Sequence, residues 1–198
     1  MVGEATLFPE LENPPLTPGG FRYVENVITD DEEVTLLASL QQLDLKPFEF
    51  HGYLANRRVL SFGLHYDYSH RTVEAASAFP PFLNQLCARV ADIAGRSIDE
   101  FRQAGVNEYQ PGAGIGWHKD KAEFGMVVGV SLHAPATMRF RRAHGRSWVR
   151  ASRILAPRSL YVLSGEARTE WEHSIPPVDK LRYSLTFRTL AGDHSAKT

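Results

Sequence analysis

The sequence has few of the features that mark secreted or membrane proteins. Its 198 residues include one cysteine, Cys87, so no disulfide can form within the chain. No apolar run reaches the roughly 20 residues that a membrane-spanning helix needs, and the N-terminus lacks the basic-then-apolar pattern of a secretion signal. These absences favour a cytoplasmic protein without a membrane anchor. Cys87 itself is best explained as a buried core residue.

Net charge is also nearly absent, but the charges are unevenly distributed. The formal net charge of −1 does not by itself indicate a nucleic-acid-binding protein. Residues 139–158 nevertheless form a basic strip that contains no acidic residue. Its basic residues are Arg139, Arg141, Arg142, Arg146, Arg150, Arg153 and Arg158. Such a strip can bind phosphates even on a neutral protein. Solvated strand faces and a hairpin tip explain it equally well.

The hydrophobic content of 43%, with no internal repeat and no linker, predicts one domain over residues 1–198. Residues 1–19 are rich in proline and glycine and are typical of an extended or partly disordered arm. Alternation over residues 21–28 predicts a strand. A capping box, Thr29-Asp-Asp-Glu32, then predicts a helix. The apolar face of that helix would carry Val34, Leu36, Leu37, Leu40 and Leu43.

Helices dominate the first half of the predicted structure and strands the second. Residues 46–78 are aromatic and loop-like, and a further helix should begin at Pro80-Pro81 and end at Gly95. Strands are predicted at Ala104–Tyr109, Met126–His133, Thr137–Arg142, Trp148–Ile154, Ser159–Leu163 and Leu181–Thr189. This order predicts a mainly β, α+β sandwich with helices on one face.

The segment from Asn107 to Asp120 ends in His118-x-Asp120, whose side chains share one side of an extended backbone. Both could then reach one metal ion, although a hydrogen-bonded structural pair is a common alternative. A second histidine, His173, follows on another apolar segment. Two imidazoles and one carboxylate form the facial triad of non-haem Fe(II) oxygenases, which leaves coordination positions open.

Arg182 and Arg188 lie six residues apart on a predicted strand and therefore share a face with Ser184 and Thr186. Because arginine binds carboxylates in a bidentate manner, a dianion could lie along this face. The alternative is an exposed strand with its polar side chains in solvent.

The order Asn-x-Tyr, His-x-Asp, His, Arg-x5-Arg resembles the AlkB family of Fe(II)/2-oxoglutarate dioxygenases over residues 57–189. The resemblance implies a double-stranded β-helix, or jelly-roll, over residues 104–190, with supporting helices and a nucleotide-recognition lid over residues 46–78. It also implies Fe(II), 2-oxoglutarate and O2 as cofactor and co-substrates. The implied iron ligands are His118, Asp120 and His173. The implied contacts to 2-oxoglutarate are Asn107, Tyr109, Arg182, Thr186 and Arg188, of which Arg188 would also lie beside the iron.

The same resemblance implies a substrate region. Residues 57–69 are similar to the lid motif of the family's nucleic-acid demethylases, where Tyr68 would stack on a flipped base and Tyr66 would line its pocket. The remaining implied substrate contacts are Arg57, Glu123, Arg141 and Arg142, the last two in a hairpin that touches phosphates. Family members that repair DNA usually carry a second acid two residues after the ligand aspartate, whereas this chain has Ala122 there and Glu123 one residue later.

The resemblance therefore implies oxidative demethylation of N-alkylated bases in DNA or RNA, as in DNA repair, with release of formaldehyde, succinate and CO2. One alternative is a hydroxylase or demethylase of tRNA or protein side chains with the same iron chemistry. Another is an iron-free domain that only binds nucleic acid, which would not need the ligand set or the arginine pair. We expect nucleic acid as the partner and a monomeric protein.

Overall fold

The structure, a computed structural model, describes residues 17–50, 53–67 and 72–192. The helices in these ranges are α1 (Asp30–Gln41), α2 (Asn84–Ala94) and the short α3 (Gly165–Thr169), with 3-10 turns at Pro81–Leu83 and Ile98–Glu100. The strands are β1 (Phe21–Val24), β2 (Lys46–Phe50), β3 (Tyr53–Phe62), β4 (Leu64–Asp67), β5 (Thr72–Ala75), β6 (Phe101–Tyr109), β7 (Ile115–His118), β8 (Phe124–Leu132), β9 (Ala136–His144), β10 (Ser147–Leu155), β11 (Ser159–Leu163), β12 (Glu172–Ile175) and β13 (Arg182–Leu190).

Two antiparallel sheets form the jelly-roll that the family resemblance implies. The major sheet has the order β1-β11-β8-β13-β6-β3-β2, and the minor sheet has the order β10-β9-β12-β7. Strands β4 and β5 form a separate two-stranded hairpin. Consecutive strands of the chain repeatedly cross between the two sheets, so residues distant in sequence meet in the space between them.

Strand alternation gives the major sheet two different faces. On β13, Tyr183, Leu185 and Phe187 join the apolar core with α1 and α2. The intervening residues, from Arg182 to Arg188, face the minor sheet. A second core between the sheets contains Tyr109, Met138, Phe140, Tyr161 and Trp171. The polar face of β13 is therefore buried, and the alternative of an exposed strand is wrong.

Both predicted helices are confirmed, as are the caps at Thr29 and Gly95, but α2 begins at Asn84 after a 3-10 turn and not at Pro80-Pro81. The Thr29 hydroxyl accepts a hydrogen bond from the Glu32 backbone N–H, and the Glu32 side chain accepts one from Thr29 N–H. Gly95 ends α2 in the left-handed conformation, at φ 67°. Val34, which was expected on the apolar face of α1, is 66% exposed. Glu33 lies buried instead, because it accepts hydrogen bonds from Arg158 and from the His133 backbone N–H.

The expectation of loops over residues 46–78 is wrong for the described part of that segment, which contains β2 to β5. Strand β3 pairs with β6 from Arg57 opposite Tyr109 to Phe62 opposite Ala104. The error has a physical cause: Arg57 and Ser61 point into a cavity between the sheets. Because these inward-facing residues are polar, β3 lacks the alternation of apolar and polar residues by which a buried strand is recognised. Residues 1–16 of the predicted N-terminal arm lie outside the described residues. Tyr68 also lies outside them.

The predicted strands of the second half are all present, and Ser159–Leu163 matches β11 residue for residue. Strands β7 and β12 were not predicted, because each has only four residues and contains histidine or glycine. None of the helices in the described ranges is long and apolar enough to cross a membrane.

Candidate iron and 2-oxoglutarate site

The two histidines of the candidate metal site face each other across the minor sheet. His118 on β7 and His173 on β12 are register partners, and their ring centroids lie 4.3 Å apart. The Nδ1 atom of His118 lies 2.9 Å from the Gly116 carbonyl oxygen. Because a carbonyl oxygen can only accept, this contact places the proton on Nδ1 and leaves Nε2 free to bind a metal.

Asp120 completes the cluster just beyond the end of β7. Its Oδ2 atom lies 3.5 Å from Nε2 of His173, and one ligand atom from each of the three residues falls within 4.8 Å of the others. Two imidazole nitrogens and a carboxylate oxygen suit Fe(II) and leave sites open for other ligands. The residues present therefore fit Fe(II), the metal implied by the sequence.

Electrostatics hold these three side chains in the protonation states that a metal requires. Burial lowers the pKa of His173 to about 4 and also lowers that of His118, so both imidazoles are neutral near pH 7. Burial alone would raise the pKa of Asp120, but Arg188 and the two imidazoles outweigh it and hold that pKa below its usual range. The donor set is thus two neutral rings and one carboxylate.

Arg188 fixes the orientation of Asp120. Its Nε and Nη2 atoms both donate to Oδ1 of Asp120, at 3.2 and 3.0 Å, which leaves Oδ2 towards His173. Its Nη1 atom donates to Gln103 at 2.8 Å and to the Thr186 hydroxyl at 2.9 Å. Every nitrogen of Arg188 therefore has a partner, and the side chain acts as a rigid link between β13 and the carboxylate.

Arg182, in contrast, is a buried cation with spare donors. It is 1% exposed, and its guanidinium carbon lies 5.0 Å from the centre of the Tyr109 ring. Nη2 donates to the Ser131 hydroxyl at 3.2 Å, whereas Nε and Nη1 have no partner among the described residues. Since buried polar groups are almost always hydrogen-bonded, these two nitrogens fit the distal carboxylate of 2-oxoglutarate.

Tyr161 lies beside this buried arginine. Its ring covers Gly129 on the neighbouring strand so closely that a Cβ on Gly129 would sit 2.1 Å from the ring. Burial is the main cause that raises the pKa of Tyr161, and it outweighs the lowering effect of Arg182 and Arg188. Within the described part of the chain its hydroxyl makes no hydrogen bond. A buried phenol normally finds a partner, and a co-substrate carboxylate near Arg182 would supply one.

A cavity of about 580 Å³ opens in front of the cluster. His118, Asp120 and Arg188 line its inner end, and Asn107, Tyr66 and Trp117 line its walls. The Asn107 Oδ1 atom accepts a hydrogen bond of 3.0 Å from Arg57, whose guanidinium also lies 4.0 Å from the centre of the Phe48 ring. The volume is in the range of small-molecule sites, so the cavity can take a co-substrate and part of a substrate.

The residues predicted to touch the substrate are distributed unevenly. Arg57 and Tyr66 line the cavity, whereas Glu123 is exposed and is not among the residues that line it. Arg141 and Arg142 occupy opposite faces of β9, because neighbouring residues on a strand point apart. Their roles in binding substrate stay predictions.

Most of the basic strip is neutralised by acids from other elements. Arg141 pairs with Glu172, and Arg142 pairs with both Glu166 and Glu170. Two further pairs are Arg153 with Glu25 and Arg158 with Glu33. The strip is thus less basic in space than in sequence.

Four residues of the site were missed by the sequence analysis: Gln103, Tyr161, Trp117 and Arg168. Arg168 donates to the backbone carbonyls of Lys121, Phe124 and Gly125, and so holds the loop that follows Asp120. Only Trp117 had a sequence signal, because it directly precedes His118. The others become neighbours of the ligands only through strand pairing.

Comparisons of sequence identify proteins that are similar to this chain. The mouse protein tRNA (carboxymethyluridine(34)-5-O)-methyltransferase ALKBH8 is 32% identical over 81% of this chain, which spans only 24% of that protein. The alpha-ketoglutarate-dependent dioxygenase AlkB of Escherichia coli is 31% identical over 56% of the chain and 56% of its own length.

Two solved structures share the fold. OsALKBH1 superposes with a TM-score of 0.67 at 16% identity, covering 88% of this chain and 98% of its own. A prolyl-4-hydroxylase from Pseudomonas putida superposes with a TM-score of 0.60 at 18% identity, covering 87% of this chain and 93% of its own. A family model for the 2OG-Fe(II) oxygenase superfamily matches residues 20–188. Because that match spans both sheets and all three candidate ligands, the chain belongs to the 2OG-Fe(II) oxygenase superfamily and has AlkB-family relatives.

Proposed function

We propose that this protein uses Fe(II), 2-oxoglutarate and O2, the reactants of its superfamily, to oxidise a base of a nucleic acid. On an N-methylated base the oxidation would release formaldehyde, with succinate and CO2 from the co-substrate. One observation carries the proposal. A buried His–Asp–His cluster opens into a cavity of about 580 Å³, next to a buried arginine with unpartnered donors.

Each inner residue has a separable task. His118, Asp120 and His173 would hold the iron, which when bound supplies the oxidising chemistry. Arg182, with the neighbouring Tyr161 hydroxyl, would bind the distal carboxylate of 2-oxoglutarate and so orient its other end towards the metal. Arg188 keeps the Asp120 carboxylate aimed at the cluster.

Nearby side chains shape the space around these groups. The Thr186 hydroxyl and Gln103 hold Arg188 in place by accepting its hydrogen bonds. Asn107 and Tyr109 complete the predicted set of co-substrate contacts, and Asn107 lines the cavity. The packed aromatic residues exclude bulk water, which strengthens every charge interaction inside the site.

The outer part of the cavity supports a nucleic-acid substrate. Tyr66 lines it, with the Lys121 ammonium 4.7 Å from the centre of its ring. The charged residues that line this cavity are two acids, Glu49 and Asp120, and four basic residues, Arg57, Lys119, Lys121 and Arg188. Its net positive charge favours an anionic substrate. Aromatic rings and cations together are what a base and its phosphates require. The relatives also point this way, since one is named for a tRNA nucleoside and another for alkylated DNA repair.

A second candidate is hydroxylation of a carbon on a tRNA base, without loss of a methyl group. It is favoured by the lack of a second acid at Ala122 and by the exposed position of Glu123, which removes the contact to a damaged base expected from the resemblance. The named tRNA relative is consistent with the same reading. Modification of a protein side chain has weaker support, because the prolyl-hydroxylase likeness concerns the fold alone.

The decisive experiment is anaerobic reconstitution with Fe(II) and 2-oxoglutarate, followed by addition of O2 and methylated DNA or RNA oligonucleotides. Mass spectrometry would follow each base, and succinate would be measured in parallel. Loss of a methyl group coupled to succinate supports demethylation, and a gain of one oxygen atom on tRNA supports the second candidate. Absence of iron binding would overturn both and favour a binding domain.

We further propose that the protein acts as a monomer in the cytoplasm. Light scattering of the purified protein and microscopy of a tagged chain in its host would test these two points directly.

A further inference from the structure

The outward face of the minor sheet carries a group of arginines and tryptophans to which the proposed reaction assigns no task. Strand alternation places Arg139 and Arg141 of β9 on this side, with Trp148 and Arg150 of β10. Trp117 of β7 joins them, because its ring lies within 5.1 Å of the guanidinium of Arg139. These five residues are called the stacked face below.

Aromatic stacking organises this surface. The Arg141 guanidinium carbon lies 4.5 Å from the centre of the Trp117 ring and 4.4 Å from that of Trp148. One planar cation is thus held between two indoles, an arrangement that fixes both rings. Trp148 is still 40% exposed, so one of the fixed rings offers surface for another flat group.

The charge on this surface is not balanced. Arg150 is the cross-strand partner of Arg141, and like charges in that position destabilise a sheet. Glu172 pairs with Arg141. Neither Arg139 nor Arg150 makes an ion pair with a described residue. A surface on which Arg139 and Arg150 have no acidic partner in the described part of the chain complements an anion.

The stacked face is continuous with the active-site cavity. Trp117 belongs to both, since it lines the cavity beside His118 and also supports Arg139 and Arg141. A chain that places one unit in the cavity can therefore continue over this face. Alternating phosphates and flat bases match its alternating cations and rings.

We infer that the stacked face binds a single-stranded segment of RNA adjacent to the base that enters the cavity. Arg139 and Arg150 would contact phosphates, and Trp148 would stack on an unpaired base. RNA is favoured over DNA because proteins usually recognise RNA at unpaired loops, by stacking bases on aromatic rings and arginine planes. RNA as the ligand is also consistent with the mouse relative, which is named for its action on tRNA. The inference rests on the proposed function, since it assumes a nucleic-acid substrate in the cavity.

The test is the affinity of the purified protein for a labelled single-stranded RNA of about 15 nucleotides, the scale of single-strand sites. Fluorescence anisotropy would be measured without iron and 2-oxoglutarate. Trp148→Ala and Arg150→Ala should each weaken binding about tenfold, whereas Trp148→Phe, which keeps a ring, should stay within about threefold. Arg150→Ala should also lower the slope of log affinity against log salt by about 0.7.

Arg102→Ala provides the matched control, because Arg102 is an exposed arginine on β6 of the other sheet. It should bind RNA as the wild type does. Equal affinities for wild type, Trp148→Ala and Arg150→Ala would overturn the inference, as would an equal loss in Arg102→Ala. Binding of the matching DNA strand as tight as that of RNA would overturn the assignment to RNA. Because the readout is binding alone, it stands apart from the succinate assay that tests the proposed reaction.

Discussion

The protein uses charged side chains in opposite ways in two neighbouring regions. In the space between the sheets, Asp120 and Arg188 are largely buried and hold each other through two hydrogen bonds. On the stacked face, Arg139 and Arg150 lie exposed at the surface. Buried charges have fixed partners and a fixed geometry, whereas surface charges can exchange partners. Substitutions of the buried charged residues should therefore cost more than substitutions of the exposed ones, which should change affinity only moderately.

The largest expected effect is loss of a metal ligand. We expect His118→Ala to lower the affinity for Fe(II) by more than about 100-fold, since even changes behind the ligands cost 10–100-fold. Anaerobic calorimetry would measure it. His144→Ala, which removes an exposed histidine at the end of β9, is the control. A metal affinity equally reduced in both variants would show that the buried cluster is not the site.

The next effect concerns the co-substrate. Arg182→Met should weaken 2-oxoglutarate binding about 100-fold, because it removes a buried cation from a charged hydrogen bond. The absorbance of the anaerobic complex with Fe(II) and 2-oxoglutarate would report the affinity. The probe 2-oxopentanoate, which has no distal carboxylate, should bind wild type and variant alike. A similar loss for both ligands would place the role of Arg182 in folding rather than in carboxylate recognition.

A smaller effect should follow from Tyr161→Phe. Losing one hydrogen bond to a carboxylate costs about 1.5–3 kcal/mol, so we expect 2-oxoglutarate affinity to fall about tenfold with Fe(II) affinity unchanged. Tyr23→Phe is the matched control, since the Tyr23 hydroxyl accepts a hydrogen bond from the Ala156 N–H outside the cavity. If both variants bind 2-oxoglutarate as the wild type does, Tyr161 serves only to pack against Gly129.

The smallest effect tests a charge network that belongs to neither region. Hydrogen bonds from Arg58, with help from Gln110 and Tyr183, lower the pKa of Glu108 to about 2 against a burial effect that would raise it. Its folded pKa lies below the unfolded value of 4.5, so its contribution to stability is present above pH 4.5 and is lost as the pH falls towards 2.

Glu108→Gln should therefore lower the free energy of unfolding at pH 6 by about 1–2 kcal/mol, with the difference shrinking as the pH drops below 4.5. Urea unfolding at several pH values would measure this difference. A constant difference from pH 6 to pH 3 would mean that the ionised form of Glu108 is not what stabilises the sheet.

Local sequence patterns were enough to predict much of this molecule. The helix caps at Thr29 and Gly95 depend on a few adjacent residues, and the two faces of β13 follow from alternation alone. His118 and Asp120 were predictable for the same reason, because two residues on an extended backbone share a side. His173 was a candidate as the next histidine on an apolar segment, and the resemblance to a family pattern then implied its role as a ligand.

What could not be predicted depends on pairing between distant strands. Gln103 lies beside Arg188 only because β6 and β13 adopt a particular register. Nothing in the sequence around Tyr161 indicates that its ring packs against Gly129. The basic strip was misleading in the same way. Its arginines meet acids such as Glu166 and Glu25 that come from other elements of the fold.

The pairing of His118 with His173 has a mechanical consequence. Strand β7 has four residues and lies at the edge of the minor sheet, where β12 is its hydrogen-bonded neighbour. A metal ion bound by both imidazoles would cross-link the edge strand β7 to its neighbour β12. Loading with a redox-inert divalent ion should then slow proteolysis and hydrogen exchange along β7 more than elsewhere. The metal would then stabilise the fold in addition to taking part in the reaction.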